Sequence, residues 1–156
     1  MTEHHRARRL ALQGLCCLDV QGEGAMELVL NFLAESREKP ETTAEAKRVL
    51  QAAFARRAEA DEMLAGESRH WDVGRMALVD RNILRLAIWE LLTGRASKQI
   101  VINEALRLAK QFASAESSRF VNGVLDAAAQ RIQEKASRDA GDANERGQEA
   151  PDVSGP

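Results

Sequence analysis

Arg6, Arg8 and Arg9 crowd the segment HHRARR at residues 4–9, where the chain passes into its first amphipathic stretch. Guanidinium forks match phosphate oxygens in geometry and charge, so this cluster is the best candidate for a nucleic-acid contact. The competing reading is a solvated basic end. A second candidate is the start of the last helix, where free backbone N–H groups near Ser117, Ser118 and Arg119 offer a place for an anion. The two serines also stand where helix caps belong, and without an obvious histidine partner they make poor nucleophiles. His4 and His5 read as part of a flexible end, and His70 beside Trp71 reads as a surface or packing residue, so a histidine metal site or catalytic triad has no support. Cys16 and Cys17 are adjacent with no other cysteine to join them, which excludes a disulfide framework and a cysteine zinc site. No glycine-rich phosphate loop follows a strand, because no strand is evident. This inventory favours binding over bond-making chemistry, without a metal or cofactor.

The elements that must position these residues are helical. With 44% hydrophobic and 29% charged residues in 156, the chain has the composition of one globular domain. Its apolar set is dominated by Ala and Leu, with Pro scarce and Tyr absent, a balance that favours helices over strands. No apolar run approaches the length of a membrane span, and the N-terminus leads into an amphipathic pattern rather than a signal-peptide core. A cytoplasmic protein is expected. Residues 134–156 hold six acidic and three basic residues, so the formal charge of −2 leaves the body near neutral and confines any nucleic-acid site to a local patch.

Apolar residues recur at helical spacing from Arg8 to Val20 and again from Met26 to Leu33, with Gln21-Gly-Glu-Gly between them and Lys39-Pro40 as the next stop. Thr42 and Glu45 fit a capping box for one long third helix, from about 43 to 66. Trp71 to Val79 reads as a short helical turn. Asp80 is placed to cap ILRLAIWELL, which is apolar on most sides and therefore central, and Gly94 ends it. Ile100 to Phe112 repeats the amphipathic pattern. In RFVNGVLD at 119–126, Asn-Gly suggests a hairpin turn, yet Phe120, Val121, Val124, Leu125, Ala128 and Ile132 share one helical face, so a helix is expected. Gly123 then reads as a place where another helix approaches closely. Asn103, Glu104 and Asn122 read as polar groups bonding neighbouring backbone to hold helix packing, and the aromatics, mostly on apolar stripes, read as core. Beyond about Ala136 large apolar residues are nearly absent, and a disordered acidic tail over 136–156 is expected, with 1–7 a flexible basic lead-in.

Three segments, VDRNILRLAIWELL at 79–92, VINEALRLAKQF at 101–112 and SSRFVNGVLDAAA at 117–129, resemble in order and spacing the bacterial transcription antitermination factor NusB family. The likeness runs from about Arg6 to Ile132, and INEA followed by FVNGVLD is its most specific part. The resemblance implies an all-α, compact bundle of about seven helices in two helical subdomains over 8–135. It implies binding of boxA-type single-stranded RNA from ribosomal RNA leaders, together with the ribosomal protein NusE, within the RNA polymerase antitermination complex. It assigns RNA contact to Arg6, Arg8 and Arg9 and to Ser117, Ser118 and Arg119, and partner contact to Asp80, Arg81 and Glu116. Two positions depart from the family pattern: Cys16 stands where Tyr is common, leaving no aromatic to stack there. Ser97 stands where Pro commonly opens the INEA helix, and Ser is expected to serve as its cap. The alternative function is a helical protein-interaction module, or a homodimer that buries the basic patch.

Overall fold

Gly22, at φ +87°, ends the first helix because its backbone adopts a conformation that a side chain would oppose, and its N–H closes on the Leu18 carbonyl at 2.7 Å. Gly94 does the same at φ +62° for the central helix. In the computed structural model, which describes residues 2–67 and 72–148, seven α-helices result: α1 Glu3–Gln21, α2 Met26–Ala34, α3 Pro40–Ala55, α4 Arg57–Glu67, α5 Leu78–Thr93, α6 Lys98–Phe112 and α7 Ala115–Gln148. Short 3-10 turns at Glu23–Ala25 and Val73–Arg75 join the neighbours, and the described residues contain no strand.

The helices pack in two groups, α1 with α2 and α3, and α4 to α7 with one another, with α1 against α5 as the main seam between them. One continuous core runs through both, from Leu12, Leu15 and Leu18 of α1 through Leu50 to Ile83, Leu84 and Ile88 of α5 and Leu125 of α7. The all-α bundle expected from periodicity is therefore the fold. The seam carries polar clasps at both ends. At one end Arg8 pairs with Glu90; at the other Asp19 accepts from Arg81 at 2.8 Å and Asn82 at 2.9 Å and lies 3.3 Å from Arg85.

Several boundaries differ from the sequence reading. The single third helix breaks at Arg56, whose backbone leaves the helical region at φ −105°, ψ 16°. The guanidinium of Arg57 then caps α3, donating to the Phe54 carbonyl at 2.8 Å and lying 3.8 Å from the Phe54 ring centroid, and α4 is redirected onto α5 and α7. Thr42 is not a cap, since Pro40 opens α3 at its first position and the buried Thr42 hydroxyl donates to Glu3. Asp80 is not a cap either; α5 starts two residues earlier at Leu78 and places Asp80 in its first turn. Ser97 does cap α6, accepting from Ile100 N–H at 3.3 Å.

The lead-in expected to be flexible is helical from Glu3, with Thr2 accepting the His5 N–H and His5, Ala7 and Arg8 buried. At the other end α7 continues as an exposed helix through the stretch expected to be disordered as far as Gln148. Its described side chains there are exposed, so this extension has no packed face. His70, Trp71 and the tail segment 149–156 lie outside the described residues.

Candidate nucleic-acid interface

α1 buries one side against α3 and α5 and leaves Arg6, Arg9, Gln13, Cys16, Cys17 and Val20 along its solvent side. Apart from the adjacent Cys16 and Cys17, they recur every three or four positions and form one stripe about 21 Å long. Arg9 donates to Glu38 at 2.8 Å and Arg6 lies 4.0 Å from the same carboxylate, yet their side chains keep 27% and 40% exposure. Surface pairs of this kind exchange partners at little cost, so both guanidiniums remain available to an incoming phosphate.

Arg8 is committed elsewhere. It is 8% exposed, its Nε lies 3.0 and 3.1 Å from the two oxygens of Glu90, and its Nη2 is 2.9 Å from Oε1. Burial pushes the Glu90 carboxyl above the ordinary range, and the Arg8 bond pulls it part of the way back. This buried pair locks α1 to α5 and leaves the Arg8 guanidinium little exposed surface. His5 is likewise buried, bonded through Nδ1 to Glu104, which joins the start of α1 to α6.

The second constellation forms where the first turns of α5 and α7 meet. The Ser117 hydroxyl donates to Asp80 Oδ2 at 3.2 Å, and Ser114 Oγ accepts the Ser117 N–H at 3.0 Å. Ser114, three residues before Ser117, is thus the cap of α7. Ser118 is buried, whereas Glu116 and Arg119 face solvent. A cleft of about 490 Å³ opens here, lined by Asp72, Arg75, Met76, Asp80, Glu116, Ser117 and Phe120 among others. Asp80 Oδ1 is buried beside it with no hydrogen-bond partner among the described residues, an acceptor left open for a donor. Arg81 points away from solvent chemistry, bridging Asp19 at 2.7 Å and donating to the Val73 carbonyl at 3.3 Å. That bridge joins the end of the α1 stripe to the 3-10 turn that Asp72 caps and Arg75 ends.

The carboxylates of Asp72, Asp80 and Glu116 outnumber Arg75 in the cleft, so it suits hydrogen-bond donors and cations, while the α1 stripe suits phosphates. Among the described residues no group of His, Cys, Asp and Glu is arranged to hold a metal ion. No described helix is long and apolar enough to cross a membrane. Sequence reasoning missed Asp72, Arg75 and Glu38, because nothing local in a loop residue announces which distant helix it will face. The packing roles expected of Asn103, Asn122 and Gly123 are absent. Asn122 and Gly123 are exposed, a side chain at Gly123 would meet nothing within 4 Å, and Asn103 accepts only from Gln99 on its own helix.

The sequence pattern of the NusB family matches residues 5–130, a span that includes the stripe, both clasps and the cleft. The chain belongs to the NusB family. The transcription antitermination protein NusB of Anaeromyxobacter sp. (strain Fw109-5) is 40% identical over 122 residues, covering 78% of this chain and 85% of that one. NusB of Sorangium cellulosum (strain So ce56) is 39% identical over 126 residues, covering 80% and 90%. Among solved structures, T. maritima NusB superposes with a TM-score of 0.75 at 26% identity, covering 83% of this chain and 92% of its own. A chain from a crystal structure of antitermination factors NusB and NusE in complex with dsRNA gives 0.74 at 28% identity, covering 84% and 98%. The NusB-like architecture implied by the three motif segments is thus the architecture observed.

Proposed function

We propose that this chain is an RNA-binding adapter for transcription antitermination, gripping a boxA-type single-stranded segment of ribosomal RNA leaders together with NusE inside the RNA polymerase antitermination complex. The observation that carries the reading is the α1 stripe. Arg6 and Arg9 begin it, and it leads past Gln13 and Cys16 to the Asp19–Arg81 clasp beside the α5–α7 cleft. Cations meet phosphates along the stripe, exposed Arg119 adds a further cation at the start of α7, and Asp80 and Glu116 present acceptors to NusE or to base amino groups. The reading is supported by the structural likeness to a NusB bound with NusE and RNA. It makes the protein a cytoplasmic binding factor that breaks no bond.

The test is a titration of boxA-type RNA, a scrambled RNA and a double-stranded RNA, each with and without NusE. Preference for the boxA strand, strengthened by NusE, is the expected result; equal affinity for boxA and scrambled strands removes the specific reading. Arg6→Ala with Arg9→Ala lowers affinity and reduces the salt slope by about 1 to 1.5, at roughly 0.7 per contact to a single strand. A dimer that persists by light scattering and shuts out RNA would favour the interaction-module alternative.

A further inference from the structure

α2 carries a surface that the RNA reading leaves unused. Val29 and Leu33 anchor the helix in the core, which orients it so that Leu28 and Phe32 stand in solvent at 72% and 61% exposure. Four residues apart, they form one apolar stripe along the outer face. Two large apolar side chains so exposed on a single helix face are the composition of an interface core rather than of a solvated surface.

The surrounding charge says what covers them. From Leu10 to Ser36 the chain contains no Lys, Arg or His. Glu23, Glu27 and Glu35 stand exposed around the apolar pair and make no ion pair with any described residue. In other parts of the fold Glu38, Glu45, Asp61, Glu90 and Glu104 each have a cationic partner. The three glutamates of this ridge have none among the described residues. They repel RNA and anionic lipid, and a second copy would bring the same three carboxylates against the first with nothing to offset them.

We propose that the α2 ridge docks a basic amphipathic helix of a protein partner, whose apolar side chains cover Leu28 and Phe32 and whose flanking Lys or Arg residues meet Glu23, Glu27 and Glu35. The docking is independent of the RNA reading, because none of these five residues belongs to the α1 stripe or the cleft.

The probes are two designed helical peptides with identical leucines at i and i+4, one flanked by lysines and the other by glutamates, titrated into the isotope-labelled full chain. The lysine peptide perturbs the backbone amide signals of residues 27–35, and its affinity falls with salt. Leu28→Ser with Phe32→Ser weakens it by about tenfold or more while the melting temperature stays within about a degree or two, since both side chains are exposed. Four results overturn the proposal: no binding of the lysine peptide, equal binding of both peptides, binding that the double substitution leaves intact, or self-association of the free chain that the double substitution abolishes. The last would assign the ridge to a second copy.

Discussion

Replacing Arg8 separates a buried structural charge from an RNA contact. Its guanidinium makes contacts of 2.9 to 3.1 Å with Glu90, which is only 2% exposed. Arg8→Ala leaves a buried carboxylate facing an empty space, with Arg95 at 3.7 Å as the remaining cation, and Arg95 already pairs with Glu45. Breaking a buried pair from one side costs about 3 to 5 kcal/mol, a large part of a domain's total stability. For a chain of this size that lowers the melting temperature by roughly 6 to 20 °C. Replacing both partners by apolar side chains, Arg8→Met with Glu90→Leu, recovers most of the loss, because the cost lies in the orphaned charge. The loss in Arg8→Ala also depends on pH. Burial without its partner holds the Glu90 carboxyl above its unfolded value, so the protonated form is favoured in the fold. The deficit against wild type is then small below the ordinary glutamate value of about 4.3 and grows as pH rises through the folded one. Denaturant titration of wild type, single and double variants at pH 4 and pH 7, with RNA affinity measured at a temperature where all are folded, reads each part. A stability change under about 1 kcal/mol for Arg8→Ala, or a double variant no better than the single, would show that the pair does not carry the seam. An affinity loss in the double variant as large as that of Arg6→Ala would return Arg8 to the RNA surface.

Other consequences follow from particular contacts. A methyl group at Gly14 would lie 2.7 Å from a Leu50 methyl and 3.3 Å from Val29, and Leu50 is fully buried. Gly14→Ala therefore destabilises by about 1 to 3 kcal/mol, whereas Gly123→Ala, in open space on a helix, stabilises by about 0.5 to 1 kcal/mol; thermal melts showing the opposite order would refute the placement. Burial pushes the Asp19 carboxyl up, but bonds from Asn82 and Arg81 and the nearby Arg85 outweigh it and hold the group below the ordinary range. Its contribution is present above the unfolded value and lost as pH falls through the lowered one, so Asp19→Asn destabilises at pH 7 and its stability curve converges on wild type in strong acid. A difference that stays constant with pH would exclude a charged clasp. Removing residues 139–156 lowers the helical circular-dichroism signal yet leaves melting temperature and RNA affinity near wild type. The deleted part of α7 is exposed throughout its described side chains and starts about 33 Å along the helix from Ser117. A large fall in either quantity would reveal a packed role for the extension.

Helix faces, most helix ends and family membership were legible in the chain because they rest on interactions between residues three or four apart. The periodic Leu, Ile and Val positions of α5 and α7, the glycine stop at Gly94 and the cap at Ser97 all belong to this class. The motif segments at 79–92, 101–112 and 117–129 carried the resemblance by themselves. Tertiary structure alone decided which of three neighbouring arginines is buried, because the partner of Arg8 lies 82 positions away while Arg6 and Arg9 face Glu38. It decided which glycine is a close approach, assigning that role to Gly14 under Leu50 rather than to Gly123. It broke the third helix at Arg56 and turned Asp80 from an expected cap into the partner of Ser117. Local periodicity says which side of a helix is buried; only the meeting of distant helices says what each buried or bordering side chain will touch.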